Sequence, residues 1–188
     1  MEPLSDMVLL LGASGPNSNL MFKHQKFLAK KIISNLDTSA NHIGIITYGK
    51  DTKVAVKLGQ HRNDGDLKSA IDNLQMSQPS VDGLASGLDL ARGDKMLDGG
   101  EAEHQVVVAM TNKRKLPSQA KENIQKIRDT DTKLIFIGIG DEVQRDDLEA
   151  AVGADNVRVA RDESSDNDEF LKDLSSRLRR GKYLSRNI

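Results

Sequence analysis

Chemistry in this chain would have to come first from one short run of small residues. Gly12-Ala13-Ser14-Gly15-Pro16-Asn17-Ser18 follows an aliphatic stretch and precedes a helix-like pattern. That is where a phosphate loop, a nucleotide-binding turn or a nucleophilic serine is held. A phosphate loop ends in Gly-Lys-Ser/Thr and a dinucleotide turn reads GxGxxG, whereas here only Gly12 and Gly15 are present, with Pro16 next. A hydrolase elbow is nearer, since Gly12 and Ser14 supply the first glycine and the serine of GxSxG. Pro16 stands where the last glycine belongs, and no histidine follows His104 to complete the usual Ser, Asp, His order. An enzyme acting through Ser14 is therefore disfavoured, and a plain strand-to-helix turn is preferred.

The other candidates are weaker. His24, His42, His61 and His104 show neither HxxxH nor HExxH spacing, so no zinc site is read from them. The acidic run from Asp162 to Glu169 lacks the alternating ligands, central glycine and terminal glutamate of an EF-hand loop, and reads as solvated helix-capping residues. Arg92-Gly93-Asp94 matches the tripeptide that integrins read, but it falls where a helix is ending and is short enough to occur by chance. No cofactor is expected.

The elements that would position these residues alternate. Aliphatic runs of strand length are Met7 to Leu11, His42 to Gly49, Lys53 to Gly59, Gln105 to Met110, Lys133 to Gly140 and Asn156 to Ala160. Unbroken runs such as VVV and LIFIGI suit strands buried on both faces, and the short link between Tyr48 and Lys53 suits a hairpin with an antiparallel edge strand. Amphipathic stretches lie between them. The first places Phe22, Phe27, Ile32, Ile33 and Leu36 inward and Lys23, Lys26, Lys30 and Lys31 outward, and the last places Phe170, Leu171, Leu174 and Leu178 inward. The pattern predicts an α/β doubly wound three-layer sandwich, a mostly parallel six-stranded sheet with one antiparallel edge strand and helices on both faces. Ligands in such a fold bind beyond the carboxyl ends of the strands, where the Gly12 run lies.

At 188 residues the chain fits one domain, with a core from about 6 to 178 and a basic tail at 179–188. Its 27 basic and 28 acidic residues leave no net field for nucleic acid or an anionic membrane. No apolar run reaches the roughly 20 residues of a membrane span, and the start of the chain lacks the pattern of a signal peptide, as in an intracellular protein or a module cut from a longer one. The absence of cysteine excludes disulfides, thiolate metal sites and a cysteine nucleophile, without fixing the compartment.

In order along the chain, DMVLLLGASGP, HIGIITYG, VAVKLG, DLKSAIDNL, VDGLASGLDLA, VVVAMTNK and KLIFIGIGD resemble the phrases of the von Willebrand factor type A domain. The resemblance implies the fold above and a metal-ion-dependent adhesion site built from DxSxS, a threonine and the aspartate of TDG. The DxSxS positions are Gly12, Ser14 and Pro16, the threonine position falls at or near Asp82, and the TDG aspartate is Asn112. Only Ser14 is retained, so the site is expected to be degenerate; restoring Gly12→Asp, Pro16→Ser and Asn112→Asp together is expected to return metal affinity. The resemblance implies a non-catalytic adhesion or protein-interaction module with a protein partner, in an extracellular matrix or adhesive protein. The alternative is an intracellular scaffold in a multiprotein complex.

Overall fold

A computed structural model describes residues 5–12, 17–93, 96–100, 102, 104–161, 171–173 and 176. In chain order the elements are β1 (Ser5–Gly12), α1 (Ser18–Ser34), β2 (Asn41–Tyr48), β3 (Lys53–Val56), α2 (Asp64–Asp72), α3 (Gly83–Arg92), β4 (Gln105–Thr111), α4 (Ser118–Arg128), β5 (Lys133–Ile139), α5 (Arg145–Val152) and β6 (Val157–Ala160). The strands form one sheet in the order β3-β2-β1-β4-β5-β6. All neighbours are parallel except β2 and β3. The expected architecture is the one found, with β1 and β4 at the centre.

Residues of β1 show why its run is unbroken. Met7, Leu9 and Leu11 enter one core layer with Leu28, Ile32 and Ile33 of α1 and Leu67 and Ile71 of α2. Val8 and Leu10 enter the other, with Leu84 and Leu88 of α3, Ile124 and Ile127 of α4 and Leu148 of α5. A strand covered on both sides has no solvent face for polar residues to mark. Each such aliphatic side chain contributes about 1.5–3 kcal/mol by leaving water.

Some details differ from the sequence pattern. In α1 the buried face is Phe22, His24, Gln25, Leu28, Ala29, Ile32 and Ile33. Phe27 is only half-buried, and the Lys31 ammonium lies 4.8 Å from the centre of its ring. A step of 100° per residue turns position 27 to the rim of the stripe that Leu28 and Ile32 centre, and a cation over an aromatic face suits that half-wet position. Helix α3 stops at Arg92 because Gly93 turns extended, and Leu97–Gly99 forms a separate 3-10 turn. Of the last predicted helix, Leu171–Asp173 and Ser176 are helical; Leu171 is buried, and Arg158 pairs with Asp173. Phe170, Leu174, Leu178 and the basic tail lie outside the described residues.

The two ends of the sheet are built differently. At the lower end, where the parallel strands begin, Asp6 is fully buried. One carboxylate oxygen lies 3.1 Å from His42 Nδ1 and the other accepts from the Ala102 N–H at 3.0 Å. Position 100 must be glycine, since a Cβ there would come 2.1 Å from Asp6 Oδ2. The upper end, where those strands finish, carries the candidate site.

Candidate functional site

The structure places Gly12, Asp82 and Asn112 at the upper end; Ser14 and Pro16 lie outside the described residues. Gly12 ends β1 opposite Tyr48 of β2. A Cβ at position 12 would come 2.3 Å from the Tyr48 carbonyl oxygen and 2.5 Å from its ring. The ring is fully buried, and its hydroxyl donates to the Met110 carbonyl of β4 at 2.5 Å. Tyr48 thus lies across the end of the central strand and fills the space a side chain at 12 would need. From the other layer the buried Gln25 of α1 completes the closure, its Oε1 accepting from the Gly12 N–H at 2.7 Å and its Nε2 donating to the Gly12 carbonyl at 3.0 Å. Both backbone groups are satisfied without a ligand.

Asn112 follows β4 and is buried, while Asp82 precedes the first turn of α3 and is exposed. Asp82 makes no side-chain cap, and its negative charge acts on the Lys113 ammonium without an ion pair between them. Burial pushes the Lys113 amine below the ordinary lysine value, and the Asp82 charge partly opposes that shift. Lys113 begins the basic sequence Lys113-Arg114-Lys115 on the β4–α4 loop, with Arg114 and Lys115 exposed. Asp147 of α5 braces this loop by accepting from the Leu116 N–H at 2.6 Å and from Lys121 at 2.7 Å. Burial raises the Asp147 pKa, but the Lys121 and Leu116 hydrogen bonds outweigh it and hold the carboxyl below its usual value.

Between the start of α1 and the segment after α2 lies a cavity of about 530 Å³ lined by Asn17, Ser18, Asn19, Leu20, Met76, Gln78 and Pro79. Leu20 and Val81, 60% and 67% accessible, are the exposed large hydrophobics among the described residues. The 77–78 segment is fixed over the β2–β3 turn, with the Lys50 N–H on the Gln78 carbonyl at 2.8 Å and the Asp51 N–H on Ser77 Oγ at 2.9 Å. Among the described residues no cluster of three or more His, Cys, Asp or Glu side chains could hold a metal ion.

Arg92 and Gly93 sit at the end of α3, and Asp94 lies outside the described residues. Arg92 pairs with Asp89 at 3.4 Å, and the Gly93 carbonyl accepts from the N–H groups of Met96 and Asp98. Sequence reasoning missed Gln25, Tyr48 and Lys113. Gln25 hides among the charged residues of α1, and Tyr48 reads as one more strand aromatic. Lys113 was legible, directly after Asn112.

A mostly parallel six-stranded sheet with one antiparallel edge, helices on both faces and a loop-built upper end defines a class of α/β domain. The chain belongs to the von Willebrand factor type A domain family, whose model matches residues 6–177. It is 25% identical over 179 residues to the mouse von Willebrand factor A domain-containing protein 2, covering 92% of this chain and 22% of that protein. It is 28% identical over 162 residues to Cuticlin-6 of Caenorhabditis elegans, covering 85% of this chain and 28% of that protein. Its fold matches proximal thread matrix protein 1 of the mussel byssus with a TM-score of 0.75 at 17% identity, over 95% of this chain and 48% of that one. Another structure of that mussel protein has a zinc-occupied metal-ion-dependent adhesion motif. The chain thus spans about a quarter of the length of its curated relatives. Among the described residues no helix is long and apolar enough to cross a membrane.

Proposed function

We propose that this chain is a single non-catalytic interaction domain of an extracellular matrix or adhesive protein, and that it binds a protein partner through direct side-chain contacts and not through a bound metal ion. The observation that carries this reading is the closure at Gly12. A hard divalent cation takes several oxygen ligands with carboxylates among them. Position 12 has no side chain and no room for one, and Gln25 occupies its backbone groups. The remaining described donors are one exposed carboxylate, Asp82, and the neutral Asn112, and the charge of Lys113 already acts on that carboxylate. They do not fit the ion. The names of Cuticlin-6 and the byssus thread matrix protein support the matrix setting.

The test is capture of a partner from matrix extract and, separately, from cytosol, each with and without EDTA. Capture from matrix that survives the chelator and weakens as salt rises is the expected result, since exposed charge pairs are screened. Capture abolished by EDTA, or a one-to-one Mg²⁺ or Ca²⁺ isotherm tighter than about 100 μM that also raises the melting temperature, would refute the metal-free reading. A partner found only in cytosol would support the intracellular scaffold instead.

A further inference from the structure

We propose that the cavity between the edge strand β3 and the end of α2 is a binding site for a small organic carboxylate with an apolar body, held by the hydroxyl of Thr47 and the ammonium of Lys53. None of the residues lining it belongs to the group of Gly12, Asp82 and Asn112, so the proposal stands apart from the metal-free reading above.

The cavity measures about 390 Å³, within the range of about 300–1,000 Å³ that small-molecule sites occupy. Its shape follows from the strands. Along β2, Ile43 and Ile45 enter the layer of α1 and α2, whereas Ile46 and Tyr48 enter the other, so alternation sends Thr47 toward α2. Thr47 pairs directly with Lys53 across the antiparallel β2–β3 ladder, and such partners share a face with their Cβ atoms about 4.5–5.5 Å apart. The register then shifts. Val54 lies opposite Ile46 and Val56 opposite Ile45, which leaves Ala55 as the extra residue of a bulge. Ala55 and Val56 therefore both pack on the α2 side. With Ala70 of α2 and Leu74 just beyond it, they form the apolar wall of the cavity.

The polar groups point to a ligand. Thr47 is 2% exposed, and its hydroxyl has no hydrogen-bond partner in the protein. An unmatched buried hydroxyl destabilises a fold, and valine would keep the volume without that cost. A ligand atom that completes the bond accounts for the threonine. The charges say which atom. No carboxylate lines the cavity, and among the described residues Lys53 has no ion-pair partner. Asp72, next to the lining Asn73, is taken by Lys30 at 2.6 Å, and Lys26 donates to the carbonyls of Asp72 and Leu74 at 2.8 and 3.2 Å. The negative end of the α2 dipole is thus offset, and Lys53 sets the sign of the site. A carboxylate accepts from both Thr47 and Lys53 in charge-assisted bonds, while its apolar body lies on the wall. A bare inorganic anion makes no use of that wall.

The test titrates the whole chain, in EDTA, with hexanoate, benzoate and phenylacetate, each alongside its neutral amide, and with inorganic sulfate. Binding is followed by calorimetry and by backbone amide NMR shifts. We expect one-to-one binding of at least one acid tighter than about 1 mM, with the largest shifts at residues 53–56 and 70–75. The acid should bind about tenfold more tightly than its amide, the range of a charge-assisted hydrogen bond. Lys53→Met should remove that preference, whereas Lys126→Met on α4, in the other layer, should leave it. Thr47→Val should weaken the acid about tenfold while the melting temperature holds or rises, because an unmatched hydroxyl is removed. Ala70→Met, which fills the cavity, should weaken acid and amide alike. Equal binding of acid and amide, sulfate binding as tight as the acids, affinity indifferent to Thr47→Val or to Ala70→Met, or no saturable binding overturns the inference. So does a lower melting temperature in Thr47→Val, which would assign the hydroxyl to a buried structural water. Partner capture with and without EDTA, the test of the metal-free function, does not depend on any of these results.

Discussion

The two ends of β1 solve opposite problems. At its start Asp6 is a carboxylate buried without exposure, held by His42 and the Ala102 N–H and capped by a glycine at 100. At its finish Gly12 has no side chain at all; Tyr48 crosses above it and Gln25 satisfies its backbone. A buried charge is tolerated only where partners are fixed around it, and the lower end fixes them with His42 and the Ala102 N–H, while the Asp6 N–H donates to the His104 carbonyl. The upper end avoids the requirement by carrying no charge in its core. Its charges stand outside the closure, on Asp82 and Lys113, where a partner can reach them.

The largest effect is expected at the lower end. Asp6→Ala leaves the Ala102 N–H and His42 Nδ1 without their acceptor inside the protein, and His42 Nε2 already has no partner. Breaking a buried pair on one side costs about 3–5 kcal/mol, which urea denaturation would register as a large fall in midpoint with little change in slope. A loss under about 1 kcal/mol would mean that water replaces the carboxylate and that the lower end is not a lock.

Gln25→Leu is the corresponding break at the upper end. It keeps the helix and the volume but strips the Gly12 N–H and carbonyl of their partners, at about 1–3 kcal/mol for each group left unsatisfied. The loss should therefore approach that of Asp6→Ala although no charge is removed. Substituting Gly12→Asp sharpens the contrast further. The new Cβ meets the main-chain carbonyl of Tyr48 at 2.3 Å, so shortening the Tyr48 side chain does not relieve it. We expect about 1–3 kcal/mol of destabilisation from overpacking. No Mg²⁺ affinity should appear in calorimetry, in Gly12→Asp alone or with Pro16→Ser and Asn112→Asp. This revises the expectation from sequence, which treated position 12 as an empty place awaiting its carboxylate. Recovery of a tight isotherm would show that the Tyr48 segment moves aside.

Much of the sheet was legible because strands covered on both faces write themselves as aliphatic runs; Val106 to Val108 and Leu134 to Ile137 could hardly be anything else. Strand ends were legible only to within a residue or a few, since Gly12 and Thr111 extend their strands by backbone pairing that side-chain type does not record. The upper-end positions were also legible, through the order of phrases around Gly12, Asp82 and Asn112. Their environment was not. Tyr48 reaches Met110 across 62 positions of sequence and Asp6 reaches His42 across 36, and neither pairing leaves a periodic trace. Gln25 was hidden for the opposite reason. A polar residue in a lysine-rich helix reads as outward, and only the turn angle relative to Leu28 and Ile32 places it inside.

The smallest expected effect separates the basic loop from the closure beneath it. Asp147 accepts from the Leu116 N–H and from Lys121, whose side chain is half exposed, and these contacts hold its carboxyl below the ordinary value of 3.8. A carboxyl whose folded pKa is depressed stabilises the fold fully above the unfolded pKa and loses that contribution as pH falls through the folded one. The window therefore opens below about pH 4. Asp147→Asn should cost at most about 1 kcal/mol at neutral pH, as exposed pairs do, and should flatten the acid limb of the stability curve by one group's share. The closure at Gly12 shares no hydrogen bond with Asp147, so the cost of Gln25→Leu should be the same in both backgrounds. If the two variants prove strongly coupled, the upper end is one cooperative unit, and the comparison drawn between its closed core and its charged rim fails.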